Sequence, residues 1–212
     1  MTAVKICGLK DPENLSAATS AGARYVGFVF YPPSPRNIAA DSAKELSLTL
    51  PTGVKAIGLF VNPTNEQLEH ILGIVPLDML QLHGSESPER VQQIKDKFAM
   101  PVMKATKIRE PADLETVPAY EETADWLLFD SRPEAATLPG GTGHSFDWSL
   151  LAGKTFSRPW MLSGGLTPEN VAEALSQLSP TAVDVSSGVE SAPGVKDPAK
   201  IKAFIDAVKS AI

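Results

Sequence analysis

The sequence predicts an α/β protein that folds as a single-domain (β/α)8 TIM barrel, and three observations support this fold class. The chain contains eight short apolar runs, each of the length expected for a buried strand. Helix start signals fall in the segments between these runs. The 212 residues divide into eight units of about 26 residues each, near the lower end of the size range for closed barrels of this kind. We therefore expect residues 1–212 to form one domain.

The eight runs are mostly apolar at consecutive positions, which is typical of parallel strands that are buried on both faces. The predicted strands are Ala3–Cys7, Tyr25–Phe30, Lys55–Val61, Met79–His83, Val102–Ala105, Trp126–Asp130, Pro159–Ser163 and Ala182–Ser186. Strand followed by helix, repeated along the chain, favours parallel pairing through right-handed crossovers. An open doubly wound sheet is the alternative, but no Gly-x-Gly-x-x-Gly follows the first strand.

Helix starts are marked by a capping side chain, in several cases with proline at the first helical position. The clearest signals are Asp11-Pro12, Thr64-Asn65, Ser87-Pro88, Thr167-Pro168 and Asp197-Pro198. The segment from Arg132 to Ser145 is rich in Pro, Gly and Thr, and it follows the sixth strand. We interpret it as a long βα loop, because no linker composition divides the chain at that point.

Composition excludes several classes of partner. The net charge is −6 and the basic residues are scattered, so neither nucleic acid nor an anionic membrane is an expected partner. The single cysteine cannot form an internal disulfide, and no apolar stretch is long enough to span a bilayer. The first ten residues are interpreted as a strand and not as a cleaved leader. We expect a cytoplasmic protein.

In a closed barrel the active site lies at the carboxyl ends of the strands. Cys7 ends the first strand, and Gly8 lets the chain turn sharply after it. Lys5 and Cys7 share a face of the strand, so the ammonium is expected to lower the thiol pKa and make Cys7 a usable base. The alternative is that Cys7 is a small buried apolar side chain.

Asp130 ends the sixth strand, at the same end of the predicted barrel. Apolar surroundings raise the pKa of a carboxyl group, which suits a general acid. The alternatives are that Asp130 caps a turn or pairs with Arg132.

Two glycine loops follow the last two strands, where barrels of this kind commonly bind phosphate through backbone amides. The predicted phosphate-binding residues are Gly164, Gly165, Ser186, Ser187 and Gly188. Glycine after a strand is also ordinary turn chemistry, which is the alternative.

Further candidates lie at the same end of the barrel. Arg36 follows a loop stiffened by three prolines, and its guanidinium is suited to a carboxylate. The segment from Gly140 to Phe146, which includes Gly143, is predicted to fold over a substrate; a plain surface loop is the alternative. Lys5, Gln81, His83 and Asp184 are predicted to contact substrate as well.

Metal and nucleophilic chemistry receive little support. The three histidines, His70, His83 and His144, lack the spacing of metal ligands, so no metal site is expected. A Ser/His/Asp hydrolase is not supported either, because no Gly-x-Ser-x-Gly elbow is present.

The ordered motifs of this chain closely resemble those of phosphoribosylanthranilate isomerases of tryptophan biosynthesis. The resemblance runs nearly from end to end. Its motifs are Lys5–Gly8, Phe30–Arg36, Gly58–Asn62, Gln81–Gly84, Gly141–Gly143, Ser163–Leu166, Asp184–Glu190 and Pro193–Asp197.

The resemblance implies a cofactor-free Amadori rearrangement of N-(5-phosphoribosyl)anthranilate. It assigns Asp130 as the acid that protonates the ribose ring oxygen and Cys7 as the base that removes the C2 proton. It also places Arg36 on the anthranilate carboxylate, Asp184 on sugar hydroxyls, and amides around Gly165 and Ser187 on the phosphate.

Two alternatives remain. The histidine-pathway aminoaldose isomerase catalyses the same kind of rearrangement in a similar barrel, but its first-strand base is an aspartate, and this chain has Cys7. A non-catalytic phosphate-binding barrel would keep the glycine loops without needing both Cys7 and Asp130. The sequence does not decide between a monomer and a homodimer.

Overall fold

Eight parallel strands close into a barrel in the computed structural model, which describes residues 2–131 and 147–211. Each strand pairs with the next along the chain, and β1 pairs with β8 to close the ring. The strands are β1 Ala3–Cys7, β2 Tyr25–Val29, β3 Lys55–Phe60, β4 Met79–Leu82, β5 Val102–Ile108, β6 Trp126–Ser131, β7 Trp160–Leu162 and β8 Ala182–Val185. The predicted (β/α)8 fold is confirmed.

Seven α-helices lie in the described part of the chain, in the segments that follow the strands. They are α1 Pro12–Ala21, α2 Ala40–Leu48, α3 Asn65–Leu72, α4 Pro88–Phe98, α5 Val117–Thr123, α6 Val171–Gln177 and α7 Pro198–Ser210. Between β6 and β7 the described residues contain one short 3-10 turn, Trp148–Leu150. After β8 a further 3-10 turn, Ser187–Val189, leads into a small hairpin of β9 Glu190–Ala192 and β10 Val195–Lys196. Among the described residues, no helix has the length and apolar character that crossing a membrane requires.

The predicted helix caps are present at four of the five sites. Asp11, Thr64, Ser87 and Asp197 each accept a hydrogen bond from a backbone amide in the first turn of the helix. The start predicted at Thr167-Pro168 is wrong, because α6 begins at Val171. The Asn170 side chain accepts from Thr167 N at 2.8 Å and donates to Gly165 O at 2.9 Å, which holds the intervening residues in a turn.

Two layers of apolar side chains form the core because each strand buries both faces. On β6, Leu127 and Phe129 face outward into the main cluster beneath the helices. Leu128 faces inward, into a cluster that fills the barrel with Ile57 and Met103. Asp130 is the next inward-facing residue on β6. It therefore lies above this inner apolar cluster, at the carboxyl end of the barrel.

The strand ends differ from prediction by small amounts. Strands β2, β3, β4, β7 and β8 each end one residue early, and β7 also begins one residue late. Strand β6 ends one residue later than predicted, and β5 runs three residues further, to Ile108. The extension of β5 is explained by pairing, since Ile108 lies in register with Ser131 of β6. Residues just past the strand ends, such as Val61, His83 and Ser186, border the cleft described next.

Candidate active site

A cleft lies at the carboxyl ends of the strands, and its empty space, including the open mouth, is about 470 Å³. Side chains or loops from seven of the eight strands reach it. Its lining residues are Cys7, Val29, Tyr31, Ser34, Arg36, Leu59, Val61, His83, Asp130, Ser163, Asp184 and Ser186. The cleft thus brings together both residues predicted to transfer protons, Cys7 and Asp130, although they are 123 positions apart in the sequence.

Cys7 is buried at the end of β1, and its thiol fits against a glycine on the neighbouring strand. Gly27 of β2 is in register with Cys7. A Cβ atom at Gly27 would lie 2.8 Å from Cys7 Sγ, closer than real contacts allow. The space that the thiol occupies therefore depends on the absence of a side chain at Gly27, a requirement that was not predicted from the sequence.

Lys5 is fully buried two residues before Cys7, on the same face of β1. Its Nζ donates to Asp184 Oδ1 at 2.9 Å. Burial alone lowers the pKa of Lys5, but Asp184 and Cys7 outweigh it, so the pKa is raised and the ammonium is retained. The predicted proximity of Lys5 and Cys7 is present.

The predicted net effect on Cys7 is wrong. Burial raises the pKa of the Cys7 thiol above its ordinary value, and the Lys5 ammonium, which lowers it, offsets only part of that rise. The Asp184 carboxylate raises the pKa further. Lys5 acts in the predicted direction, but the loss of hydration inside the barrel is the larger effect.

Asp130 pairs with a histidine in the barrel. His83 Nε2 lies 3.0 Å from Asp130 Oδ2, and His83 Nδ1 lies 2.9 Å from Gln81 Nε2. All three side chains are buried, with Gln81 completely covered. Gln81 therefore lies behind His83 and does not border the cleft, although it was predicted to contact substrate.

Asp184 is held between two strands. Its Oδ1 accepts from Lys5, and its Oδ2 accepts from Ser163 Oγ at 3.1 Å. Ser163 directly follows the short strand β7 and borders the cleft. Ser163 was quoted as part of a glycine motif but was not selected as a site residue; its position immediately after an apolar strand is the signal that was available.

Arg36 reaches the cleft from the loop after β2, and its guanidinium is fixed by a buried carboxylate. Arg36 Nε and Nη2 donate to the two oxygens of Glu190, each at 2.8 Å. Gly8 makes room for this arrangement, since a Cβ atom there would lie 2.9 Å from Arg36 Cδ. Glu190 thus determines the orientation of the group that was predicted to bind a carboxylate.

Lys196 extends this network toward β8. Its Nζ donates to Glu190 Oε1 at 2.7 Å and to Ser186 Oγ at 3.1 Å, and Ser186 Oγ donates to Cys7 O at 3.1 Å. Burial alone raises the pKa of Glu190, but hydrogen bonds from Arg36 and the charge of Lys196 outweigh it, so the pKa is lowered. Neither Glu190 nor Lys196 was predicted as a site residue, because the pairing that gives Glu190 its role is with Arg36, which is 154 positions away.

The two predicted phosphate loops lie against each other. Gly164 and Gly165 adopt φ values of 88° and 66°, in the left-handed region that glycine tolerates. A Cβ atom at Gly188 would overlap the carbonyl oxygen of Leu166, so the loops after β7 and β8 are in close contact. Ser186 borders the cleft, and Ser187 and Gly188 begin the adjacent 3-10 turn.

A second buried network supports the loop that carries His83. Glu86 Oε2 pairs with Lys104 Nζ at 2.9 Å, and Glu86 Oε1 accepts from Asn62 N at 2.8 Å. Lys104 Nζ also donates to Gly84 O at 2.8 Å. These contacts connect the loops after β3 and β4. This network was not predicted. The feature of the sequence that could have indicated it is Lys104, a charged residue inside the otherwise apolar run of β5.

Some predictions concern residues that the structure does not describe. The segment from Gly140 to Phe146, with Gly143 and His144, lies outside the described residues, as does Arg132. Within residues 2–131 and 147–211, no group of three or more His, Cys, Asp or Glu side chains is placed to hold a metal ion.

Comparison with known proteins places this site in context. Residues 4–207 match the family described as PRAI, N-(5'phosphoribosyl)anthranilate (PRA) isomerase. An N-(5'-phosphoribosyl)anthranilate isomerase from Paracoccus denitrificans (strain Pd 1222) is 54% identical over 203 residues, which cover 95% of this chain and 94% of that one.

Solved structures agree with the sequence relatives. The crystal structure of phosphoribosyl anthranilate isomerase from Thermotoga maritima superposes with a TM-score of 0.89 at 41% identity, covering 99% of this chain and 100% of that one. A phosphoribosyl anthranilate isomerase in complex with reduced 1-(o-carboxyphenylamino)-1-deoxyribulose 5-phosphate superposes with a TM-score of 0.85 at 38% identity, with coverage of 99% and 100%.

Proposed function

The chain belongs to the N-(5'-phosphoribosyl)anthranilate isomerase family of tryptophan biosynthesis, and from that premise we propose that Cys7 and Asp130 are the general base and general acid of its Amadori rearrangement. The observation that supports this assignment is that both side chains border one cleft, from strands β1 and β6. The substrate is a small sugar phosphate that carries anthranilate.

The reaction is an internal redox isomerisation, so it needs proton transfers and no external electron acceptor. Asp130 donates a proton to the ribose ring oxygen, the C1–O bond breaks, and the anthranilate nitrogen lone pair forms a Schiff base with C1. The Cys7 thiolate then removes the C2 proton, and the electron pair left behind forms the C1–C2 double bond of an enolamine. Tautomerisation of the enolamine gives the ketone, with a proton added at C1.

The environment of Cys7 makes its thiolate a stronger base, and its thiol less readily ionised, than those of an ordinary cysteine. Because burial raises the pKa of the thiol, the thiolate has a high affinity for the C2 proton once it forms. Lys5 limits the cost of ionisation, since its ammonium lies on the same face of β1 and lowers the pKa of the thiol. Lys5 therefore supports the base without being the group that transfers the proton.

The remaining side chains position the substrate. Arg36, already oriented by Glu190, binds the anthranilate carboxylate. Asp184, oriented by Lys5 and Ser163, accepts hydrogen bonds from sugar hydroxyls. The phosphate binds to backbone amides of the paired loops after β7 and β8, the usual anion site of such barrels.

The experiment that tests the function follows the fluorescence of the anthranilate-bearing substrate as it is consumed by the purified protein. Turnover of this substrate, and none of the histidine-pathway aminoaldose, is expected. Turnover of the histidine-pathway substrate alone would contradict the proposed isomerase activity. The double variant Cys7→Ala/Asp130→Asn is the matched negative control, because it retains the barrel and lacks both proton-transfer groups.

We further propose that residues 1–212 act as one isomerase domain in the cytoplasm, without nucleic acid or membrane as partners. A single free cysteine at the active site suits a reducing compartment. Light scattering on the purified protein distinguishes a monomer from a homodimer, the two states that the sequence leaves open.

A further inference from the structure

The small hairpin after β8 places a second buried lysine near the proposed base. Lys196 ends β10, outside the eight strands of the barrel, yet its side chain is only 1% exposed. Its Nζ donates to Ser186 O at 3.0 Å, to Ser186 Oγ at 3.1 Å and to Glu190 Oε1 at 2.7 Å. None of the proton transfers proposed for the reaction involves this side chain.

The contacts of Lys196 favour the ammonium over the neutral amine. An ammonium has three N–H donors, and Lys196 has three acceptors while Ser186 Oγ donates to Cys7 O at 3.1 Å. A neutral amine would instead accept the Ser186 hydrogen, and Cys7 O would lose that bond. Burial lowers the pKa of Lys196, and the Glu190 carboxylate opposes this effect. The short contact to a carboxylate oxygen is typical of a charge-assisted hydrogen bond.

Lys196 reaches Cys7 through one serine. Val185 of β8 is in register with Ile6 of β1, so Ser186 lies where the seam between these strands would continue beside Cys7. Ser186 Oγ donates to Cys7 O, and Lys196 Nζ donates to both oxygens of Ser186. Two hydrogen bonds thus connect the ammonium to the backbone of Cys7, and they hold the loop after β8 against the end of β1.

Charges from three strands act on the Cys7 thiol. Lys5 lies on the same strand, Asp184 on β8 and Lys196 on β10. Burial raises the pKa of Cys7 most strongly, Lys5 lowers it, Asp184 raises it and Lys196 lowers it. The effects of Lys5 and Asp184, which form an ion pair with each other, are therefore opposed. Lys196 adds to the effect of Lys5 in stabilising the thiolate.

We propose that Lys196 is a positioning residue for the base: its ammonium holds Ser186 against the end of β1 and stabilises the Cys7 thiolate as a second cation. The inference rests on the proposed role of Cys7 as the base. Lys196 itself transfers no proton to or from the substrate. Because it also donates to the carboxylate that orients Arg36, the proposed base and the proposed carboxylate-binding group share one support.

The direct test is the reactivity of the thiol, because Cys7 is the single cysteine of the chain. The thiolate is the nucleophile, so the rate of alkylation by iodoacetamide, followed by mass spectrometry, reports the ionisation of Cys7. Lys196→Met removes the charge and keeps an unbranched side chain, while Arg36 still pairs with Glu190. The alkylation rate should fall at least ~5-fold at neutral pH.

The pH dependence of that loss separates ionisation from access. The difference between wild type and Lys196→Met should shrink as the pH rises through the pKa of the wild-type thiol, since both thiols are then ionised. An unchanged rate at neutral pH, or a loss that persists above that pKa, overturns the proposal. Lys196→Gln, which is neutral but can still hydrogen-bond, replaces Lys196→Met if that variant does not fold.

Catalysis provides a second measurement. The acidic limb of the kcat/KM profile should move to higher pH in Lys196→Met, and Lys196→Arg, which keeps the positive charge, should return it toward the wild-type position. A merely structural role would lower Tm or kcat without moving the limb. A limb that stays in place in Lys196→Met, or that moves equally in both variants, contradicts the proposal. If Lys196→Arg does not fold, the alkylation rates decide.

Lys200→Met is the matched control. Lys200 Nζ donates to Glu190 O at 2.8 Å, so this variant removes a cation and a hydrogen bond from the same hairpin. It should lower stability and leave both the alkylation rate and the acidic limb unchanged. A shift in Lys200→Met as large as that in Lys196→Met would show that the effect is not specific to Lys196, and the proposal would be rejected.

One further variant distinguishes failure of this inference from failure of its premise. If Cys7→Ala keeps wild-type kcat, Cys7 is not the base and the inference falls with that premise. If Cys7→Ala is inactive but Lys196→Met leaves the alkylation rate and the limb unchanged, Cys7 remains the base and only the role of Lys196 is rejected.

Discussion

Lys5 and Asp184 face each other in register across the seam where β1 and β8 close the barrel, and their side chains form a 2.9 Å ion pair inside it. The pair fixes the carboxylate that we propose binds the sugar hydroxyls. It also places an ammonium beside the Cys7 thiol, so a single lysine acts on both the proposed sugar-binding carboxylate and the proposed base. Closure of the barrel is what brings these residues together, since they are 179 positions apart.

Neutralising Lys5 should move the pH dependence of the reaction. The ammonium lowers the pKa of Cys7, so Lys5→Met should shift the acidic limb of the kcat/KM profile to higher pH. An unmoved limb would leave Cys7 as the base but reject Lys5 as its electrostatic partner. The variant also leaves Asp184 buried without its cation, which should cost roughly 3–5 kcal/mol of unfolding free energy in a denaturant titration.

Loss of either proton-transfer group should affect chemistry more than binding. Cys7→Ala and Asp130→Asn should each lower kcat by at least ~100-fold with little change in KM, as expected when general acid or base catalysis is removed. Steady-state fluorescence kinetics measure both parameters. His70→Gln, on the exposed face of α3, is the control. Near wild-type kcat in either variant would refute the role of that residue.

A methyl group at Gly27 should disturb the base directly. A Cβ atom at this position would lie 2.8 Å from Cys7 Sγ, so Gly27→Ala should lower kcat at least ~10-fold and cost about 1–3 kcal/mol through overpacking. Gly58→Ala is the matched control. Its Cβ would press on Leu77 and Phe60 and not on the cleft thiol, so it should lower stability and spare kcat. Equal kcat losses in the two variants would indicate general strain.

Arg36 should contribute mainly to substrate affinity. Arg36→Met should raise KM by roughly 10–100-fold with a smaller change in kcat, because a charge-assisted hydrogen bond is worth about 1.5–3 kcal/mol. Arg36→Lys keeps the positive charge but loses the planar, two-pronged guanidinium. Its KM should therefore lie between those of wild type and Arg36→Met. An unchanged KM in Arg36→Met would mean that another group holds the carboxylate.

Glu190 should make the fold less stable as the pH falls. Its pKa is lowered in the folded protein from an ordinary value of 4.5, so the folded state favours the carboxylate. This stabilisation is fully present above the ordinary pKa and is lost as pH falls through the lower, folded-state value. The Tm difference between wild type and Glu190→Gln should therefore be largest near neutral pH and shrink below about pH 4.5. A difference that stays constant down to pH 3 would contradict this account.

Local sequence patterns were sufficient to predict the strands and most helix starts, and to predict which end of the barrel holds the site. Apolar runs predicted all eight strands to within a few residues, because burial on both faces demands apolar side chains. Four helix starts followed from capping chemistry that acts within one turn. Cys7 and Asp130 could be selected since the position of a residue at a strand end is a local property.

Only the tertiary structure decided which partners each group has and which electrostatic effect is larger. The Arg36–Glu190 and His83–Asp130 pairs join residues that are far apart in the sequence, and no local pattern encodes such a contact. The sign of the Cys7 pKa shift also depended on the fold. A lysine two residues away is visible in the sequence, but the loss of hydration that outweighs it exists only when the barrel closes around the thiol.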